Sequence, residues 1–110
     1  MRRQLCCLTI LIRFTPRRDE MDRATFEASL QRDGFELFER VMAAGTVNAD
    51  HDHPFDARLF VLSGEITITY LGESTTYGPG DTCEFSAGAI HAEEVGTEDF
   101  VYLAGRRDIN

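Results

Sequence analysis

The sequence has no lysine and no tryptophan, and only three prolines and three cysteines. Without lysine, every basic side chain is an arginine. Two of the cysteines, Cys6 and Cys7, are adjacent and the third, Cys83, is remote. An odd number with an adjacent pair makes no disulfide framework, so a reducing, cytoplasmic setting is expected. Long apolar runs are also missing. The longest, Leu5 to Ile12 with Thr9 inside it, is far short of the roughly 20 residues a membrane helix needs. Nor is there a basic excess: 11 arginines face 19 acids, for a net charge of −8. An acidic body repels a phosphate backbone, which argues against a nucleic-acid partner. At 110 residues the chain has no room for a separate cofactor domain, a Rossmann half or an α/β barrel.

What is present describes one small globular domain. Apolar residues make up 43% and charged residues 27%, close to the average for folded soluble proteins and unlike a disordered or fibrous chain. Small domains bury a low fraction of their surface, so support from a homodimer interface, a metal ion or both is expected. The charge is unevenly spread. Residues 1–20 hold five arginines and two acids, whereas residues 21–110 hold six arginines and seventeen acids. The basic head has the outline of a signal peptide, but its apolar run is short and no small-x-small cleavage site follows. Residues 1–20 are therefore read as an extension outside the core, with a single domain over 21–110 starting near Met21.

From Asp22 to Asp33 the sequence predicts a short helix, with Asp22 as N-cap, Phe26 and Leu30 paired at i, i+4, and Gly34 as the stop. The period then changes to two. Strands are predicted over Phe35 to Val41, Thr46 to His53, Arg58 to Leu62, Glu65 to Leu71, Thr75 to Tyr77, Thr82 to Phe85, His91 to Val95 and Phe100 to Ala104. Pro54-Phe55-Asp56, Gly72-Glu73 and Gly78-Pro79-Gly80-Asp81 read as corners. Arg106 to Asn110 reads as a frayed polar tail. Arg58 to Leu62 is apolar on both faces, so a cover is expected on each, the second from a partner copy. Many short strands between Gly and Pro turns predict an all-β antiparallel barrel or jelly roll preceded by a short helix.

The three histidines carry the chemistry. His51 and His53, two apart on one predicted strand, project from the same face, and His91 opens a later strand that can lie beside or opposite it. Taken alone, these positions fit two readings. One is a solvated acidic rim, with Asp50 and Asp52 flanking, plus a lone hydrogen-bonded His91; the other is a facial set of three ligands for one metal. The glycines around them favour the second. Gly45-x5-His51-x-His53 running to Gly64, and Gly80-Asp81-x4-Ser86-x-Gly88-x2-His91, resemble the two signatures of the cupin superfamily, over about Phe35 to Arg106. The resemblance implies a single-domain cupin β-barrel or jelly roll that dimerises. It further implies a divalent metal held by His51, His53 and His91.

The departures are specific. The family's first signature carries a glutamate ligand three or four residues after its His-x-His; here those places are Ala57 and Arg58, while Ser86 and Val95 replace a proline and an asparagine of the second. Cupins similar in this respect, the thiol dioxygenases, bind iron with three histidines and no carboxylate. A carboxylate from elsewhere is the other solution. Glu93, two residues beyond His91 on the same strand face, is the better-placed candidate by parity, and Asp56, at a corner, the other. Arg58, beside the vacant position, would bind a substrate carboxylate if it faces the cavity; otherwise it is a surface arginine. Cys83 reads as a buried structural thiol.

The resemblance thus predicts a metal-dependent enzyme acting on a small organic molecule, dioxygenase chemistry first and lyase or isomerase chemistry beside it, with Glu93 as general base or auxiliary ligand. The alternative is a non-catalytic sensor or storage module that binds a small molecule or metal. Imidazole suits iron, zinc, nickel and copper alike, so the metal is unnamed.

Overall fold

The computed structural model describes residues 22–109; the extension predicted over residues 1–20 lies outside them. Helix α1 spans Arg23–Arg32. The Asp22 carboxylate accepts a hydrogen bond from the Thr25 amide at 2.9 Å, satisfying one of the free amides of the first turn. Phe26 and Leu30 form its buried face. Eight strands follow: β1 Glu36–Met42, β2 Val47–His51, β3 Phe55–Ser63, β4 Ile66–Tyr70, β5 Glu73–Tyr77, β6 Thr82–Phe85, β7 His91–Val95 and β8 Phe100–Asp108. They make two antiparallel four-stranded sheets, ordered β1-β8-β3-β6 and β2-β7-β4-β5. The architecture is therefore the jelly roll of the two expected forms.

The first sheet explains the strand that is apolar on both faces. Leu59 and Val61 point between the sheets, into a core with Ile66, Ile68, Val95, Phe100 and Tyr102. Phe60, of opposite parity, packs outward against Phe26, Leu30, Phe35 and Leu103 beneath α1, with the Phe26 and Phe60 rings stacked at 5.4 Å. The second face of β3 is thus covered by the chain's own helix. Gly105 of β8 makes this close approach possible, because a Cβ there would collide with the Leu30 side chain.

Two predicted boundaries are corrected. Phe55 and Asp56 belong to β3 and not to a corner, because they pair with Asp108 and Arg107 of β8. For the same reason β8 does not fray after Ala104: Arg106 and Arg107 are laddered to Ala57 and Asp56. Their exposed polar character had concealed a strand with one wet face.

The hairpin between β4 and β5 turns on Leu71 and Gly72, one residue earlier than the predicted Gly72-Glu73 because Glu73 pairs with Tyr70, and both turn residues are at positive φ (52° and 80°). This is the turn that matches strand twist, and its first position favours Asn. Leucine in this region is strained, and its side chain is 82% exposed. Leu71→Asn is expected to stabilise the domain by about 1 kcal/mol, on the order of 5 °C in melting temperature. Thermal melts of the two proteins check this, and an unchanged or lower midpoint would show that the turn carries no strain.

Candidate metal and small-molecule site

The histidines meet. One ligand atom from each of His51, His53 and His91 lies within 4.8 Å of the others. His51 ends β2 and His91 opens β7, directly opposite in the ladder, with ring centroids 4.5 Å apart. His53, inside the predicted strand, falls two residues beyond the end of the observed β2, yet its ring lies 5.0 Å from His51 and 5.6 Å from His91. Aromatic neighbours hold two of the rings: Phe85 stacks on His91 at 4.1 Å and Phe55 on His53 at 4.8 Å.

Backbone carbonyls orient two of the imidazoles. His51 Nδ1 lies 2.7 Å from the Ala49 carbonyl oxygen and His91 Nδ1 3.0 Å from that of Ala89. A carbonyl only accepts, so each Nδ1 carries a proton, and in the neutral ring each Nε2 presents a lone pair. Both Nε2 atoms face the same carboxylate oxygen, Glu93 Oε2, at 3.9 Å from His51 and 3.4 Å from His91. Two ring nitrogens and a carboxylate oxygen thus converge on one point, where either a proton shared between ring and carboxylate or a bound cation satisfies them. Nitrogen and oxygen donors of this kind fit a divalent transition ion, and carbonyls on the outer nitrogens are the usual way such ligands are aimed. Burial, and then the neighbouring His51 and His91, hold the His53 imidazole below its usual pKa and keep it in the ligating, neutral form.

Glu93 is 9% exposed. Its Oε1 accepts from Asn48 Nδ2 at 2.9 Å, which leaves Oε2 for the histidines. Asn48 reaches it because β2 is bulged between Asn48 and His51, so that both lie across from inward residues of β7. Strict alternation would have put these two on opposite faces, and the sequence therefore gave no sign of Asn48.

The site opens on a cavity of about 600 Å³ between the sheets. Ala57, at the place of the family's glutamate, lines it together with Phe55 and Leu59. Asp56 does not: it points to the other face of β3, where it accepts from the Ala87 amide and pairs with Arg107, both at 2.9 Å. These contacts hold its carboxyl below the usual range. Arg58 also faces outward. It pairs with Asp33 at 2.8 Å and covers the Phe35 ring at 4.3 Å, tying the end of α1 to the sheet. It is neither a cavity residue nor a bare surface arginine. Cys83 is a free, partly buried thiol packed against the core, and burial pushes its pKa up. The arginines that do line the cavity are Arg40 of β1 and Arg106 of β8, neither of which the sequence reading had singled out.

Against known families, residues 38–104 match the Cupin_2 family, a cupin domain. The chain belongs to the cupin family. A search of curated proteins finds no match. Among solved structures, this cupin is similar to KdgF from Halomonas sp., with 19% identity and a TM-score of 0.58 over 68% of this chain and 71% of that one. It is also similar to the DMSP lyase DddQ from Ruegeria pomeroyi, at 28% identity and a TM-score of 0.60. That match covers 66% of this chain but only 38% of the lyase. A third is the Cupin_2 domain of an XRE family transcriptional regulator from Enterobacter cloacae, at 20% identity and a TM-score of 0.57, covering 69% and 83% of the two chains.

Proposed function

We propose that this cupin is a metal-dependent enzyme acting on a small organic molecule in the cavity between its sheets. His51, His53 and His91 hold one divalent ion, and Glu93 is the general base. The observation that carries this reading is the convergence of imidazole lone pairs on a point beside a buried carboxylate, with the outer nitrogens of two rings fixed by backbone carbonyls. Bound there, the ion would supply Lewis-acid polarisation of a substrate oxygen or, as iron with open positions, dioxygen chemistry.

The chain's own groups do the rest. Glu93 Oε2 accepts a proton from substrate held beside the histidines, while the Asn48 bond to Oε1 keeps the carboxylate aimed. Its negative charge offsets a cation that three neutral imidazoles leave uncompensated. Phe55 and Phe85 fix two ring planes and present apolar surface to the cavity. A base in this position suits proton abstraction, and the likeness to a DMSP lyase supports that class over a dioxygenase.

The test is elemental analysis of protein purified without added metal, followed by a substrate screen with oxygen monitored. Stoichiometric metal with turnover that consumes no oxygen is the expected result. Substrate-dependent oxygen uptake would replace the lyase reading by a dioxygenase, and metal without turnover across a broad screen would leave a binding module.

A further inference from the structure

The charge of the cavity runs opposite to that of the protein. Over residues 21–110 acids outnumber arginines by seventeen to six, yet among the described residues the charged side chains along the cavity, the histidines aside, are Arg40, Arg106 and the single acid Glu93. Two guanidiniums in the wall of an acidic body form a local well for an anion.

Their surroundings give the anion a place. Arg106 pairs across the ladder with Ala57, so a cation stands next to the position where the family's glutamate would project. Its guanidinium carbon lies 4.1 Å over the Phe55 ring, and Phe55 in turn stacks on His53 at 4.8 Å. Arg106 is thus separated from the histidine cluster by one aromatic ring. Among the described residues its polar partner is Asp108, reached by Nε at 3.4 Å with both side chains about half exposed or more. That contact leaves the two Nη groups for another acceptor. Arg40, on the neighbouring strand, lies 4.6 Å over Phe38 and, among the described residues, bonds a backbone carbonyl at 3.4 Å. Both guanidiniums sit over aromatic rings while N–H donors stay available, an arrangement that suits recognition of a carboxylate.

We propose that the cavity selects small organic molecules carrying a carboxylate, and that Arg106 docks that group beside the space left by the absent glutamate, with Arg40, four ladder positions along, adding to the positive field. The inference builds on the proposed enzymatic reading but does not need the metal for the docking itself.

The experiment uses benzoate and succinate against benzamide and succinamide, titrated calorimetrically into the protein with and without chelator. The acids are expected to bind at least about tenfold more tightly than the amides, with and without chelator. Arg106→Gln is expected to erase the preference at unchanged metal content, Arg106→Lys to retain part of it, and Arg40→Gln to weaken it. Equal binding of acid and amide, no acid binding up to millimolar concentration, or a preference that survives Arg106→Gln would overturn the proposal. So would a preference that vanishes with the metal, since the ion itself would then be the docking group. Phenyl phosphate binding as tightly as benzoate would overturn the carboxylate assignment. A protein without metal or turnover that still shows the Arg106-dependent preference would sink the enzymatic reading and leave the docking site standing.

Discussion

Replacing His91 with alanine is expected to strip the bound metal and to lower stability far more when metal is present than after chelation. An ion that binds only the folded state adds RT ln(1 + [L]/Kd), about 3–4 kcal/mol when free metal is 100 to 1,000 times Kd. That is a large share of the roughly 5–15 kcal/mol a domain has in total. His91 is 1% exposed and lies under the Phe85 ring, so its removal also leaves a void that lowers stability without metal. His51→Ala and His53→Ala, at half-buried positions, should show the metal-dependent part more cleanly. Elemental analysis paired with melts in the presence and absence of chelator separates the two contributions. Metal content unchanged in all three variants would mean that no three-histidine centre exists. Acid should act like the mutations. An imidazole must be unprotonated to ligate, so protons should displace the metal in the acid range. The surroundings of His53 already disfavour its charged form, which helps the site to keep its metal on mild acidification. By linkage, the metal-derived stability is present above this range and lost below it.

For Glu93→Gln the expected result is a protein that keeps its metal and loses turnover by about 10²- to 10⁴-fold, the usual contribution of a positioned base. Glutamine retains the carbonyl that accepts from Asn48, so the side chain stays in place while its basicity is gone. Glu93→Ala should lose activity to a similar extent and also lose stability, since Asn48 would be left with an unanswered donor in a partly buried site. Parallel measurement of kcat and metal stoichiometry decides the role. Retained activity in Glu93→Gln removes it as base, and loss of metal in the same variant makes it a ligand.

The amino-acid sequence by itself determined much of this protein. Alternating apolar residues and Gly and Pro turns specified an antiparallel β fold, because strand periodicity and positive-φ turns are local properties. The i, i+4 pair Phe26 and Leu30 and the Asp22 cap likewise specified α1. The three histidines were legible because their spacing from the surrounding glycines survives as a linear signature, and the gap at Ala57 was legible by the same count. What stayed hidden depends on which strands become neighbours. A strand apolar on both faces asked for two covers, and only the packing of α1 over Gly105 showed that the chain provides the second one itself. Arg58 and Asp56 stood close to the site in sequence, but side chains alternate along β3, and their parity sends them to the helix side of the sheet. Glu93 could be placed on the inner face by parity, whereas its contact with Asn48 required a bulge that adds one residue and reverses the alternation of β2. Arg40 and Arg106 looked like surface charge and a frayed tail. They became cavity residues only when β1 and β8 paired beside β3, and the β1–β8 pairing joins residues as far apart as Glu36 and Arg106, which no local pattern encodes.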